Sequence, residues 1–153
     1  LAVIPSDTVP IPDPATEVIS GTADFSVAGV LTDTAPTAFT TAGIQTNAIV
    51  YNITAGIAYF VTAVTDDLNL ALSPSSAGSA ADEYVIYNAA TKACTLYVGG
   101  GGPGALIVQM ASQRDAALTD KITFQNIPTS SFLPILVTRV FSATTSTNII
   151  ALW

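Results

Sequence analysis

The residues that could carry chemistry are few. There is no histidine in the 153-residue chain. That excludes a Ser-His or Cys-His nucleophile pair and any imidazole metal site. A Ser-Lys pair would need Lys92 or Lys121 buried beside a serine, and no motif points to one. The acidic clusters are Asp66-Asp67, Asp82-Glu83, and Asp7 with Asp13. Two carboxylates flanking a cleft could serve as acid and base in a glycosidase. Clustered with other oxygens they could hold Ca²⁺, which takes six or more ligands. The simpler reading is a solvated turn, where Asp is favoured. Gly99-Gly100-Gly101-Gly102-Pro103-Gly104 has the look of a phosphate loop. It lacks the Gly-Lys-Ser/Thr ending, and the apolar Ala105-Leu106-Ile107-Val108 follows where a helix should start. A glycine turn, or a close approach of backbones, fits it better. Cys94 stands alone, so no internal disulfide framework exists. In an apolar strand pattern it reads as a small buried hydrophobe. Asn52-Ile53-Thr54 matches a glycosylation sequon. No basic-then-apolar leader is seen at the start of the chain, and the match is taken as chance. No catalytic, cofactor-binding or metal-ligating residue is therefore assigned, and the expectation is a protein that is not an enzyme.

The elements that would have to position any site are strands. Half of the chain is hydrophobic, only 10% is charged, and the net charge is −7. An ordinary globular domain carries about 25% charged residues. No stretch approaches the 18 or so apolar residues of a spanning helix, and the aromatics are too sparse for an outer-membrane barrel. Lys92, Arg114, Lys121 and Arg139 are the only cations and are scattered. Nucleic acid and anionic membranes are therefore not expected partners. A surface so poor in charge is explained most simply by coverage with partner surfaces. A Thr-rich monomer kept soluble by hydroxyls is the plainer alternative.

Val, Ile, Thr, Tyr and Phe dominate, and turn residues recur at short intervals. This predicts an all-β chain of small barrel or sandwich units. Residues 1–16 read as an extended arm. Pro5, Pro10, Pro12 and Pro14 impose extended backbone, and Val3, Ile4, Val9 and Ile11 lie between them. Such an arm either lies on a neighbouring subunit or straps its own barrel, and contact with a neighbour is the expectation carried forward. Residues 17–90 read as a small barrel-like unit, with a hairpin turn at Ala55-Gly56 and a second turn at Asp66-Asp67. Tyr51, Tyr59, Tyr84 and Tyr87 lie in strand context that favours core packing over exposed stacking. Residues 91–153 read as a second β-unit. Strands are predicted at 94–98, 105–110, 120–124, 135–141 and 148–153, with turn-like stretches at 125–131 and 142–147. Residues 112–118 could form one helical turn or a loop. Ile149, Ile150, Leu152 and Trp153 should pair in a sheet and be largely buried, in a core or a subunit contact. The candidate interface is thus Val3, Ile4, Val9, Ile11, Ile150, Leu152 and Trp153.

The most specific signal spans residues 92–153. Leu96-Tyr97-Val98-Gly99-Gly100-Gly101 is followed by Thr123-Phe124-Gln125-Asn126-Ile127-Pro128. Then come Leu133-Pro134 and a Thr-rich turn ending in Ile150-Ala151-Leu152-Trp153. This order resembles the head-spike base proteins of tailed phages and of phage-derived gene transfer agents. It departs from them at residues 103–118, where the family usually has a shorter turn. Phe39-Thr40-Thr41-Ala42-Gly43-Ile44 and the strands after it are similar to a β-module frequent in phage virion proteins. The resemblance implies a structural virion protein at the head surface, with no catalysis and no cofactor. It implies a homo-oligomer, pentamer or trimer, bound to the major capsid protein and attaching a spike fibre. A capsid cement protein at three-fold positions and a carbohydrate-binding adhesin module are the alternatives.

Overall fold

The computed structural model describes residues 1–34, 39–88, 92–100, 104–113 and 121–153. It is all-β: among these residues there are eleven strands, two short 3-10 turns and no α-helix. The chain divides into two compact units. One is Pro12–Ala90; the other combines Leu1–Ile11 with Thr91–Trp153.

The Pro12–Ala90 unit opens with a 3-10 turn, Pro14–Thr16, capped by the Asp13 carboxylate on the Ala15 amide at 3.0 Å. Six strands follow: β1 (Glu17–Ala23), β2 (Val30–Thr32), β3 (Ile49–Asn52), β4 (Ile57–Val64), β5 (Asn69–Ser73) and β6 (Asp82–Tyr87). They form one antiparallel sheet in the order β1-β6-β3-β4-β5-β2. The sheet curls until its ends meet at one point. Asp24, just past β1, and Thr32 of β2 exchange two backbone hydrogen bonds of 2.8 and 2.9 Å. Alternation builds the core, because successive strand side chains face opposite ways. Leu70 and Leu72 of β5 point inward, as do Tyr84 and Ile86 of β6; they meet Phe25, Leu31, Phe39, Val50, Tyr59 and Val61. Both expected turns are present. Gly56 adopts φ +66° between β3 and β4, where an L side chain would be strained. Asp66 closes the β4–β5 hairpin by accepting from the Leu68 and Asn69 amides, each at 2.8 Å.

The second unit holds β7 (Cys94–Gly100), β8 (Gly104–Met110), β9 (Ile122–Ile127), β10 (Ser131–Val140) and β11 (Thr147–Leu152). The order is β11-β7-β10-β8-β9, all antiparallel. Cys94, Leu96, Val98, Leu106, Val108, Val137, Val140, Ile149 and Ala151 form its core. Two strands run longer than the sequence pattern predicts. Gln125 and Asn126, expected in a turn, belong to β9, an edge strand that tolerates exposed polar residues. β10 begins at Ser131 rather than Ile135 and carries Pro134 within it. The proline sits where the register to β7 slips, between Leu133 and Val137. That is where a residue without an N–H costs no ladder bond. Of residues 112–118, read as one helical turn or a loop, 112 and 113 belong to a 3-10 turn, Ala111–Gln113; 114–118 lie outside the described residues, as do 101–103 of the glycine run.

Residues 1–11 correct the expectation of an arm lying on a neighbour. They complete their own chain's sheet in two places. Ala2 bridges Ile150 at the β11 edge, and the Val3 amide donates to the Ile149 carbonyl at 2.9 Å. Further on, β7 has run out beside the last residues of β10. There the Ser6 amide donates to Val140 O (2.8 Å) and the Ile11 amide to Thr138 O (2.9 Å). Val3, Val9 and Ile11 are buried, Ile11 to 1% exposure. The physical reason is the unfilled carbonyls of β10 and the open edge of β11: buried backbone acceptors need donors, and the arm supplies them.

Candidate functional site

The residues singled out for chemistry do not converge. Asp82 and Glu83 are neighbours on β6 and therefore face opposite sides: Asp82 is 1% exposed, Glu83 is exposed. They cannot act as a facing acid and base. Asp82 also departs from the solvated-turn reading. Its carboxylate is buried and accepts from the Asn52 amide at 2.7 Å and from the Ser79 backbone at 2.8 Å. The amide of Asn52 is thereby committed to the core, which removes it as a modification site. Asp33 is a second buried carboxylate and accepts the Tyr84 hydroxyl at 2.5 Å. Burial, with Asp33 beside it, pushes that phenol well above its usual range. Sequence reading missed both carboxylates as core groups, because nothing local marks an Asp whose partners are 30 and 51 residues away. Asp66 and Asp67 lie in the turn between β4 and β5. Asp66 is held below the usual carboxylate range by the amide of Leu68 first and the Asn69 side chain next. Asp67 accepts from the Thr40 hydroxyl.

Asp7 pins the arm. It accepts from the Ser142 hydroxyl (2.5 Å) and from Lys121 (3.4 Å), while Arg139 donates to its backbone carbonyl at 3.0 Å. The Ser142 hydroxyl, and then Lys121, hold its carboxyl below the usual range. Lys121 lies 4.3 Å from the centroid of the Phe141 ring and Arg139 5.9 Å, distances at which ring quadrupole and cation attract. Two of the chain's four cations are thus spent on holding the arm.

The glycines have a packing role. A Cβ on Gly100 would come 2.6 Å from the Asn148 amide nitrogen, and one on Gly104 would come 3.0 Å from the Ser146 backbone nitrogen. Cys94 is buried; its sulfur lies 3.7 Å from the Val137 carbonyl, and burial pushes the thiol up to about 11. Among the described residues no group of His, Cys, Asp and Glu is placed to hold a metal ion. A shallow depression of about 350 Å³ between β1 and β6 is lined by Ser20, Gly21, Thr22, Ile53, Glu83, Tyr84 and Val85. Tyr51, Tyr59, Tyr84 and Tyr87 are all at most 3% exposed, so none supplies a sugar-stacking platform.

What does converge is apolar surface on the outer side of β11, β7 and β10. In this register Ile150 pairs with Tyr97, and Tyr97 pairs with Phe132. Cross-strand partners share a face at about 5 Å, so these three form a row across the sheet, extended by Ala2 of the arm. Leu152 pairs with Thr95 in the next row, and Pro134 and Leu136 continue the outer side of β10. Phe132 and Leu136 are 55% and 54% exposed; Ile150, Leu152 and Trp153 are 38%, 40% and 43% exposed. The Trp153 indole donates to the Lys92 carbonyl at 3.3 Å, fixing the ring at the end of β7.

The seven predicted interface residues therefore separate. Val3, Val9 and Ile11 belong to the chain's own core, Ile4 is half-buried, Ile150 and Leu152 lie on the exposed face, and Trp153, past the end of β11, is exposed. β11 is paired as expected, but of its large side chains only Ile149 is buried. Strict alternation sends Ile150 and Leu152 outward, so within this chain only Ile149 of the four expected residues enters the core. Phe132 and Leu136 are additional members. Their signal was in the sequence: in Phe132-Leu133-Pro134-Ile135-Leu136 both strand faces are apolar, and only one can enter the core. No protein-family model matches the chain, and no match is found among curated proteins or solved structures.

Proposed function

We propose that this chain is a non-enzymatic structural subunit of a tailed-phage-type particle. In this reading it is a homo-oligomeric head-surface decoration or head-spike base that binds the capsid and anchors a fibre. One observation carries the interaction role: an outward, charge-free row of Ile150, Tyr97 and Phe132 continued by Leu152 and Leu136. Contiguous apolar surface of this kind marks a contact site. The virion assignment rests on the motif order of residues 92–153. Those motifs fall on β7, β10 and β11, the strands that build this face, and on β9 at the far edge of the same sheet. The low charged fraction of the chain, 10%, supports the same reading.

The test is binding to particles. Purified protein is mixed with capsids of the parent phage that lack it, and the pelleted fraction is measured. Saturable binding at a fixed number of copies per vertex or face supports the reading. Absence of binding, with the protein absent from native particles by mass spectrometry, overturns it.

A further inference from the structure

We infer that the outer face of β11, β7 and β10 packs against the same face of a second copy of this chain. This rests on the structural-subunit reading and names the occupant of one of its contact surfaces.

Three observations select a second copy. The first is charge. A contact that places one patch on itself brings residues near the axis against their own counterparts, so like charges would meet there. Ala2, Thr95, Tyr97, Phe132, Pro134, Leu136, Ile150 and Leu152 carry none, in a chain whose net charge is −7. A cationic or anionic partner would be matched by opposite charge on this face, and the face offers none. The second is area. The exposed parts of Phe132, Leu136, Ile150 and Leu152 amount to roughly 350 Å² of apolar surface. With Ala2, Thr95, Pro134 and half-buried Tyr97 the footprint reaches roughly 500 Å² per copy. Doubled by symmetry, this reaches the roughly 1,000 Å² that a specific interface needs. The third is shape. A three-strand face with two rows of side chains is the surface that stacks on another sheet about 10 Å away. The contact pairs copies; a contact that closes a ring would use a different surface.

Sedimentation equilibrium of the full chain, across low to high micromolar concentrations, tests this. The intact protein is expected to move from monomer to dimer. Phe132→Glu should weaken that association by about 100-fold or more, since it buries an unpaired charge in the middle of the row. Val27→Glu, at a residue 61% exposed in the other unit, should leave it unchanged. Mixing Phe132→Glu with Phe132→Lys chains should restore part of the association. Circular dichroism confirms that the variants are folded. Association that is indifferent to Phe132→Glu overturns the inference. So does an intact protein that stays monomeric while Phe132→Glu abolishes capsid binding, an outcome that leaves the structural-subunit reading standing. A protein that neither self-associates nor binds capsids removes both.

Discussion

Replacing Ile11 with alanine separates an arm that belongs to its own fold from one that belongs to a neighbour. Ile11 is 1% exposed, packs with Val3, Cys94, Leu96 and Val137 in one cluster, and donates its amide to Thr138. The substitution keeps the hydrogen bond and removes three carbons from a closed site. Buried Ile→Ala changes cost about 2–5 kcal/mol, and a site lined by both β7 and β10 has little room to collapse. A urea slope of about 1–1.5 kcal/mol/M fits a unit of this size. The midpoint of unfolding should then fall by roughly 1.3–5 M. Trp153 is the only tryptophan and sits in the same unit, so its fluorescence reports that unit alone. The measurement is made at two protein concentrations tenfold apart. An intramolecular strap gives the same shift at both, whereas an arm docked on a neighbour gives a loss that grows on dilution. Ile4→Ala, at a half-buried position, should cost less than 1 kcal/mol. A shift below about 0.5 kcal/mol for Ile11→Ala, or one that vanishes at high concentration, would refute the placement of the arm.

Asp82→Ala should destabilise the Pro12–Ala90 unit by about 3 kcal/mol, because it strands the buried Asn52 amide and the Ser79 N–H; calorimetry reads this as a lowered melting temperature. Gly78→Ala should be comparably damaging, since its new methyl would collide with Asp82 and come within 2.9 Å of the Asn52 amide. Cys94 should resist alkylation in the folded protein and react on unfolding. Its thiol is pushed up to about 11 from an ordinary 9.0, so the unfolded chain releases that proton first. The stability it contributes is complete below pH 9 and declines as pH rises toward 11, which urea midpoints at pH 8 and pH 10.5 will show. Ser142→Ala should raise the Asp7 carboxyl toward its ordinary value, measurable by NMR titration. Because Asp7 is largely exposed, stability at neutral pH should change little.

The sequence made the class of fold and most strands legible, because the two-residue period survives wherever one face is buried. Leu70 and Leu72, or Leu96 and Val98, announce a core side without help from the rest of the chain. Turn chemistry was equally local: Gly56 and Asp66 act within four residues of themselves. Long-range partners were not legible. Nothing near Ser6 or Ile11 says that the carbonyls they serve are more than 120 residues away. The same holds for Asp33 and Asp82, whose polar character argued for the surface until Tyr84 and Asn52 were seen beside them. The exposed face was half legible. Apolar residues on both sides of β10 and β11 show that one side is surplus to the core, but not which side.

The chain order of the second unit has a consequence for how it is made. Its first strand-like segment and its last strand are joined through Ala2 and Ile150, 148 positions apart, and the whole Pro12–Ala90 unit is threaded between them. During synthesis that inserted unit is contiguous and can close as soon as β6 emerges, whereas the arm has nothing to pair with until β10 and β11 appear. Domains fold in the order they leave the ribosome, and contacts of such separation are slow to form. For most of its synthesis the arm is therefore a loose apolar thread. Its prolines, which cannot donate to a ladder, keep it from pairing prematurely with other nascent strands.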